Sequence, residues 1–150
     1  MCLGRAVRRG TTIVEMSIVA PVALLLLIGL MVGGLGTFRS QQVSTIAKQA
    51  SRWASIHGTD YANQTGTAPA TADDVYNQAI KPNALGLDLS KLSYSVVWNT
   101  DNSMSHTVIV NGKSVEVSNT VAVTVNYAWL PEAFLGGITL TSSSKSVMSF

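Results

Sequence analysis

The residues with the clearest chemical potential stand near the start of the chain, where a basic pair, Arg8 and Arg9, precedes Gly10, Thr11 and Glu15. Glu15 opens an apolar segment, and a charged side chain deep in a bilayer costs about 2.5–3.5 kcal/mol on insertion scales, so such residues usually mark function or a specific partner. Cleavage after Gly10 would create an α-amine on Thr11, with a reference pKa of about 7.7–8.0. That cation would lie four residues from Glu15, on the same helix face.

The role of this charge pair depends on where the carboxylate sits. An amine and a carboxylate attract far more strongly in a low-dielectric setting than in water. Thr11 and Glu15 could therefore pair within one chain or between neighbouring chains. In the alternative interpretation, Glu15 sits at the lipid headgroups, solvated or paired with Arg8 or Arg9, and has no role.

The segment after Glu15 predicts a transmembrane helix. Residues 16–35 are long enough to cross a hydrocarbon core, which needs about 20 residues, and no charged residue occurs between Glu15 and Arg39. Three arginines precede the segment, so the positive-inside tendency places the N-terminus in the cytoplasm and the remainder outside. We therefore expect a basic leader over residues 1–10, a transmembrane helix over 11–36 and an extracytoplasmic domain over 37–150.

Two other targeting signals compete with this interpretation. A cleaved secretory signal has an apolar region of about 7–15 residues before a small-x-small site, whereas the run here is longer and residues 34–36 match such a site poorly. The Arg8 and Arg9 pair is also found in twin-arginine signals, but a dipeptide alone is weak evidence.

Within the apolar segment, glycine and proline suggest local features. Pro21 cannot donate to the carbonyl of Ser17, which predicts a kink or loosening. Gly29 and Gly33 form a G-x-x-x-G pair, which lets another helix approach closely. The glycines at positions 33, 34 and 36 predict a bend or hinge where the segment ends.

Composition argues against several classes of function. The formal charge is +2, but three of the ten basic residues lie in the first ten positions, and without them the side-chain charge would be −1. The charge pattern therefore does not indicate nucleic-acid binding. The only cysteine is Cys2, so the rest of the chain contains no possible disulfide.

The exterior part predicts an α+β fold, a long N-terminal helix packed on a small antiparallel sheet of about four strands. An apolar stripe recurs at helical spacing from Val43 to His57, and Gly58 is a candidate left-handed cap. Residues 59–70 are expected to form a loop, and Thr71 to cap a short helix. Alternating residues predict strands within 92–98, 121–127 and 138–148, and Asn111-Gly112 predicts a hairpin.

Signals for catalysis or metal binding are nearly absent from the sequence. His57 and His106 have no second ligand at metal-site spacing, and Asp73-Asp74 is better explained by helix capping. We therefore expect no catalytic, metal-binding or cofactor-binding residues, no cofactor and no enzymatic activity. Trp129, Phe134 and Leu135 form an apolar cluster that is either core or a surface for a partner subunit.

The N-terminal motif resembles the type IV prepilin signature, in which a prepilin peptidase cuts after the glycine and the glutamate at the fifth following position helps to place the subunit in a filament. Val14-Glu15, Val19-Ala20-Pro21 and the segment over residues 50–58 more specifically resemble the TadE-like family of tight-adherence pilus proteins. That resemblance implies a pseudopilin in the bacterial cytoplasmic (inner) membrane that acts in pilus assembly. Its implied partners are the peptidase, other pilin or pseudopilin subunits, pilus-assembly membrane proteins and the lipid bilayer.

Details of the chain favour a minor or assembly role over the bulk filament. Met16 stands where major subunits of this pilus type often carry an aromatic residue, and the exterior part is larger than that of a short major pilin. Two alternatives stay open, an unprocessed, signal-anchored binding module and an accessory subunit of a secretion pseudopilus.

Overall fold

The computed structural model describes residues 9–129 and 137–149 of the 150-residue chain. The helices are α1 (Arg9–Ile56), α2 (Thr59–Thr65) and α3 (Ala72–Val75), the last continued by a π-helical turn (Tyr76–Ile80) and a 3₁₀ turn (Lys81–Asn83), with another 3₁₀ turn at Leu89–Lys91. The strands are β1 (Leu92–Trp98), β2 (Ser105–Val110), β3 (Lys113–Ser118), β4 (Thr120–Trp129) and β5 (Ile138–Val147). This arrangement confirms the predicted α+β class.

Helix α1 is continuous over 48 residues. It remains helical through Pro21 and through the glycine cluster, so neither predicted irregularity interrupts it. Next to the proline, the Ser17 hydroxyl donates a 2.7 Å hydrogen bond to the carbonyl of Val14. The chain divides into two compact units, one up to Thr37 and the other from Phe38.

The strands of the second unit form two sheets where one sheet of about four strands was expected. A three-stranded antiparallel sheet has the order β1-β4-β5, and β2 pairs only with β3. The hairpin turn matches the prediction, because Asn111 and Gly112 both have positive φ, at 52° and 74°. Those dihedrals suit the tight turn that joins twisted antiparallel strands.

The core of this unit lies between α1 and the three-stranded sheet. Alternate β4 residues, Val121, Val123 and Val125, are fully buried. The helix side of the core includes fully buried alanines, which let the helix backbone approach the sheet closely. The cluster comprises Val43, Ile46, Ala47, Ala50, Ala54, Val75, Ala79, Ile80, Ala84, Leu87, Val121, Val123, Val125, Tyr127 and Met148.

The segment after α1 differs from the sequence-based expectation. Gly58 is extended, with φ −82° and ψ −164°, and precedes α2, so it is not a left-handed cap. The predicted loop over residues 59–70 contains α2, whose left-handed cap is Gly66, with φ 69°. Long-range bonds hold this helix, since the Thr59 amide donates to the carbonyl of Asn102 at 2.7 Å and Asp60 accepts from the Met104 amide at 2.9 Å.

The predicted cap at Thr71 is confirmed. Its hydroxyl accepts from the Asp74 amide, and the Asp74 carboxylate accepts from the Thr71 amide at 2.9 Å. This reciprocal capping box satisfies two helix-end donors.

Candidate functional site

The residues of the predicted processing site all lie in the first turns of α1. The described part of α1 starts at Arg9, so the Gly10–Thr11 peptide bond is helical. Thr11 and Glu15 are four residues apart in one helix, which places them on the same face. A peptidase that binds an extended backbone would have to unwind the helix at this bond.

Glu15 is exposed, and within the described ranges it has no charged partner in its own chain. Its carboxylate stands at the start of a surface that is otherwise apolar. An exposed carboxylate in that position is available to a cation on another molecule, or to a new α-amine on its own chain.

The apolar side chains that follow Glu15 remain uncovered along α1. Leu25, Leu26 and Leu30 are 70%, 70% and 79% exposed. From Thr12 onward the helix contains a stretch long and apolar enough to cross a membrane, and none of that stretch is buried against the protein. A contiguous exposed apolar surface of this kind marks a membrane or protein contact. Length and composition of this kind are also found in signal sequences.

The predicted helix-packing pair, Gly29 and Gly33, lies one turn apart on α1. A Cβ atom added at either glycine would meet no atom within 4 Å. The surface over both residues is therefore open in this chain. Such a surface can accept the backbone of a second helix.

Residues 10–52 match the family model described as TadE-like protein. The chain carries a TadE-like N-terminal segment. This match confirms the resemblance drawn from the motifs around Glu15. Neither the curated proteins nor the solved structures provided a match to the chain.

The TadE-like segment contains the predicted cleavage position, the glutamate, the apolar stretch and most of the helical residues that pack on the sheet. It ends at Arg52, before the last turn of α1 and all of the strands. The functional residues proposed from sequence, apart from the Trp129 cluster, therefore fall inside the matched segment.

The apolar cluster proposed near Trp129 is only partly described. Trp129 is half-buried and packs against the core, opposite Ile138 at the end of the β4–β5 pairing. Phe134 and Leu135 lie outside the described residues. The described part of the cluster is consistent with the core interpretation of Trp129.

His57 is part of an aromatic cluster at the C-terminal end of α1. Its ring stacks on Trp53 with centroids 4.0 Å apart and contacts Tyr61 at 4.7 Å. His57 Nδ1 lies 2.8 Å from the Trp53 carbonyl, so this nitrogen carries the proton and donates. His57 therefore packs at the end of α1, where the apolar stripe ends. Its neighbour Tyr61 lies on α2, in a segment whose composition predicts a loop.

Several carboxylates are used as local caps. The hydroxyl and amide of Thr71 lower the pKa of Asp74, and those of Ser103 lower the pKa of Asp101. The hydrogen bond that Tyr94 donates to Asp73 raises the pKa of the Tyr94 hydroxyl.

Over the described residues, no group of three or more acidic, histidine or cysteine side chains has an arrangement that could hold a metal ion.

Proposed function

We propose that this protein is a minor pilin or pseudopilin of a tight-adherence pilus, or of a related secretion system. The observation that carries the proposal is the TadE-like match over residues 10–52, which includes Gly10 and Glu15 together with the exposed apolar stretch of α1. In this function, α1 inserts in the bacterial inner membrane with its N-terminus cytoplasmic. A prepilin peptidase then cuts after Gly10.

The chemistry of the cut explains why these residue types would stand together. The new α-amine of Thr11 is mostly cationic at neutral pH, given its reference pKa of about 7.7–8.0. Glu15 supplies the opposite charge in a region that excludes water. The pair is then a strong and specific attraction, because Coulomb energies grow as the local dielectric constant falls.

Assembly requires the apolar helices of several subunits to lie side by side. The open surface over Gly29 and Gly33 suits such a contact, since small residues let helix backbones approach closely. We infer that the partners are other pilin or pseudopilin subunits and the membrane proteins that assemble them. Neither enzymatic activity nor nucleic-acid binding belongs to this function.

The decisive experiment is Glu15→Gln in the producing cell, with Glu116→Gln as the matched control. Glu116 is an exposed carboxylate on β3, so its variant removes the same charge outside the helix. Removing one partner of a buried ion pair costs about 3–5 kcal/mol. At about 1.4 kcal/mol per factor of ten, this lowers occupancy in an assembly several hundred-fold.

Two measurements are made on each variant, the mass of the N-terminus and co-purification with pilus or secretion partners. We expect Glu15→Gln to be cleaved and membrane-inserted but lost from the assembly, and Glu116→Gln to behave like the wild type. Normal cleavage together with normal co-purification would show that Glu15 is a bystander. The identity of the co-purifying partners separates a pilus from a secretion pseudopilus.

A further inference from the structure

A tight turn in the second unit holds one leucine outward and another inward. In residues 84–87 the Leu87 amide donates to the carbonyl of Ala84 at 3.1 Å, and Gly86 has φ +74°. Leu87 is buried in the core at 8% exposure, whereas Leu85 is 78% exposed. Leu85 is thus a large apolar side chain on the tip of a turn with a defined backbone.

Arg39 fixes the position of this turn. Its Nη1 donates to the carbonyl of Gly86 at 2.7 Å and to Oε1 of Gln42 at 2.9 Å. Arg39 is also the first charged residue after the apolar stretch, and Phe38 before it is 57% exposed. The turn therefore lies beside the helical residues that directly follow the apolar stretch.

The dimensions of a bilayer place this turn in the lipid headgroup layer. Residues 16–35 rise about 30 Å, the thickness of the hydrocarbon core, and Arg39 follows about 6 Å later. Each headgroup layer is about 5–8 Å thick. If the apolar stretch spans the core, then Arg39 and the turn that it holds lie at the boundary between lipid and water.

The charges around the turn fit a lipid surface. Exposed lysines flank it, Lys81 in the preceding 3₁₀ turn and Lys91 in the following one. With Arg39 they give three cations. Among the described residues of this segment, 81–91, the carboxylate is that of Asp88, which lies 4.0 Å from the Lys91 ammonium. An apolar tip within a basic rim is the pattern that binds membrane interfaces and anionic headgroups.

The β2–β3 hairpin follows a segment that is bonded close to the C-terminal end of α1, and it is the natural comparison. The Ser149 amide, just after β5, donates to the carbonyl of Ser55, and α2 reaches the segment before β2 through Thr59 and Asn102. Ser55 is 16 residues beyond Arg39, which is about 24 Å along the helix. Ile109 on this hairpin is 75% exposed, nearly the same as Leu85.

We propose that the turn at residues 84–87 is a second membrane contact, which seats the extracytoplasmic domain on the outer leaflet through Leu85. The proposal rests on the proposed function in requiring that α1 spans the bilayer with its N-terminus in the cytoplasm. A domain held by one helix can tilt freely, whereas a second contact fixes its orientation at the membrane. Extraction of the subunit into a filament must then break this contact.

The test measures the depth of a spin label on the full-length protein in lipid. Cys2 is replaced by serine, and one cysteine is introduced by Leu85→Cys, Ile109→Cys or Leu30→Cys. Each labelled protein is placed, one chain per nanodisc, in a bilayer of phosphatidylethanolamine and phosphatidylglycerol. Collisions with oxygen, which concentrates in lipid, are compared with collisions with a water-soluble nickel chelate.

The label at position 30 reports whether α1 spans the bilayer, and the label at 109 reports the aqueous limit. We expect the label at 85 to favour oxygen over nickel, shifted from the value at 109 toward the value at 30. If the label at position 85 has the same oxygen and nickel accessibility as the label at position 109, while the label at position 30 is in lipid, the membrane contact is overturned and the transmembrane anchor stands. A label at 85 shielded from both reagents would indicate a protein contact and also overturn it. A label at 30 in water would refute the anchor and, with it, the contact.

Discussion

The guanidinium of Arg39 donates to the carbonyl of Gly86 at 2.7 Å and so joins the start of the second unit to a turn 47 residues later in the chain. Gly86 has a positive φ, a conformation that glycine adopts without a steric penalty. This bond determines where the turn sits along α1. The exposed Leu85 is the residue next to the Gly86 carbonyl that Arg39 holds.

Replacing Arg39 by methionine removes the guanidinium donor but keeps an unbranched apolar stem. We expect Arg39→Met to lower the stability of the fragment of residues 37–150 by about 1 kcal/mol, a typical net value for an intramolecular hydrogen bond. Thermal unfolding measures the change. The control is Arg52→Met, an exposed arginine on the same helix, and an equal loss in both variants would contradict a specific role for the Gly86 bond.

Processing should occur between Gly10 and Thr11, because glycine has no side chain to obstruct entry of an extended backbone into a peptidase site. Intact mass of the membrane-extracted protein should correspond to a chain that starts at Thr11. Gly10→Val should leave the leader attached, since its branched side chain adds bulk at the cleavage position. A wild-type mature protein that still contains Cys2 would refute processing and favour the unprocessed anchored module.

The alanines of α1 set the distance between helix and sheet. Ala50 is fully buried against the core, so Ala50→Leu should destabilise the fragment of residues 37–150 by about 1–3 kcal/mol through overpacking, although leucine is the more apolar residue. Chemical denaturation gives the free energy of unfolding. The neighbouring Gln49→Leu, at an exposed position, should cost much less, and equal losses would argue against close packing at Ala50.

Acid should weaken the loops that aspartates cap. Hydrogen bonds from Ser103 lower the pKa of Asp101, and a lowered folded-state pKa contributes stability above the unfolded value that is lost as pH falls through the folded one. We therefore expect the melting temperature of the fragment of residues 37–150 to decline below about pH 4, near the unfolded aspartate pKa. In Asp101→Asn this decline should be shallower. The same pH dependence of the melting temperature in both proteins would show that the lowered pKa of Asp101 does not contribute to stability.

Local patterns were enough to predict several elements. The alternation of apolar residues indicated β1, β4 and β5, because one face of each strand meets the core. Asn111-Gly112 indicated the hairpin turn, since both residues tolerate positive φ. The capping box at Thr71 was recognisable for a similar reason, because its partner Asp74 is only three residues away.

Other features depend on residues far apart in the chain. The composition of α2 is typical of a loop, so local patterns do not predict this helix. Two long-range hydrogen bonds help to hold it, from the Thr59 amide to the Asn102 carbonyl and from the Met104 amide to Asp60. The split into two sheets was also missed, since alternation shows which face of a strand is buried but not which strand is its neighbour. Strand pairing depends on contacts between segments that are far apart in the sequence.

The sequence alone determined the TadE-like signature, because Gly10, Glu15 and the apolar run are defined by residue type and spacing within one continuous helix. Only the tertiary structure decided which residues of the second unit stand next to Arg39. Arg39 and Gly86 come into contact because the chain between them folds, and no local sequence pattern predicts such a contact. The exposed position of Leu85, in the turn that Arg39 holds, therefore became visible only in three dimensions.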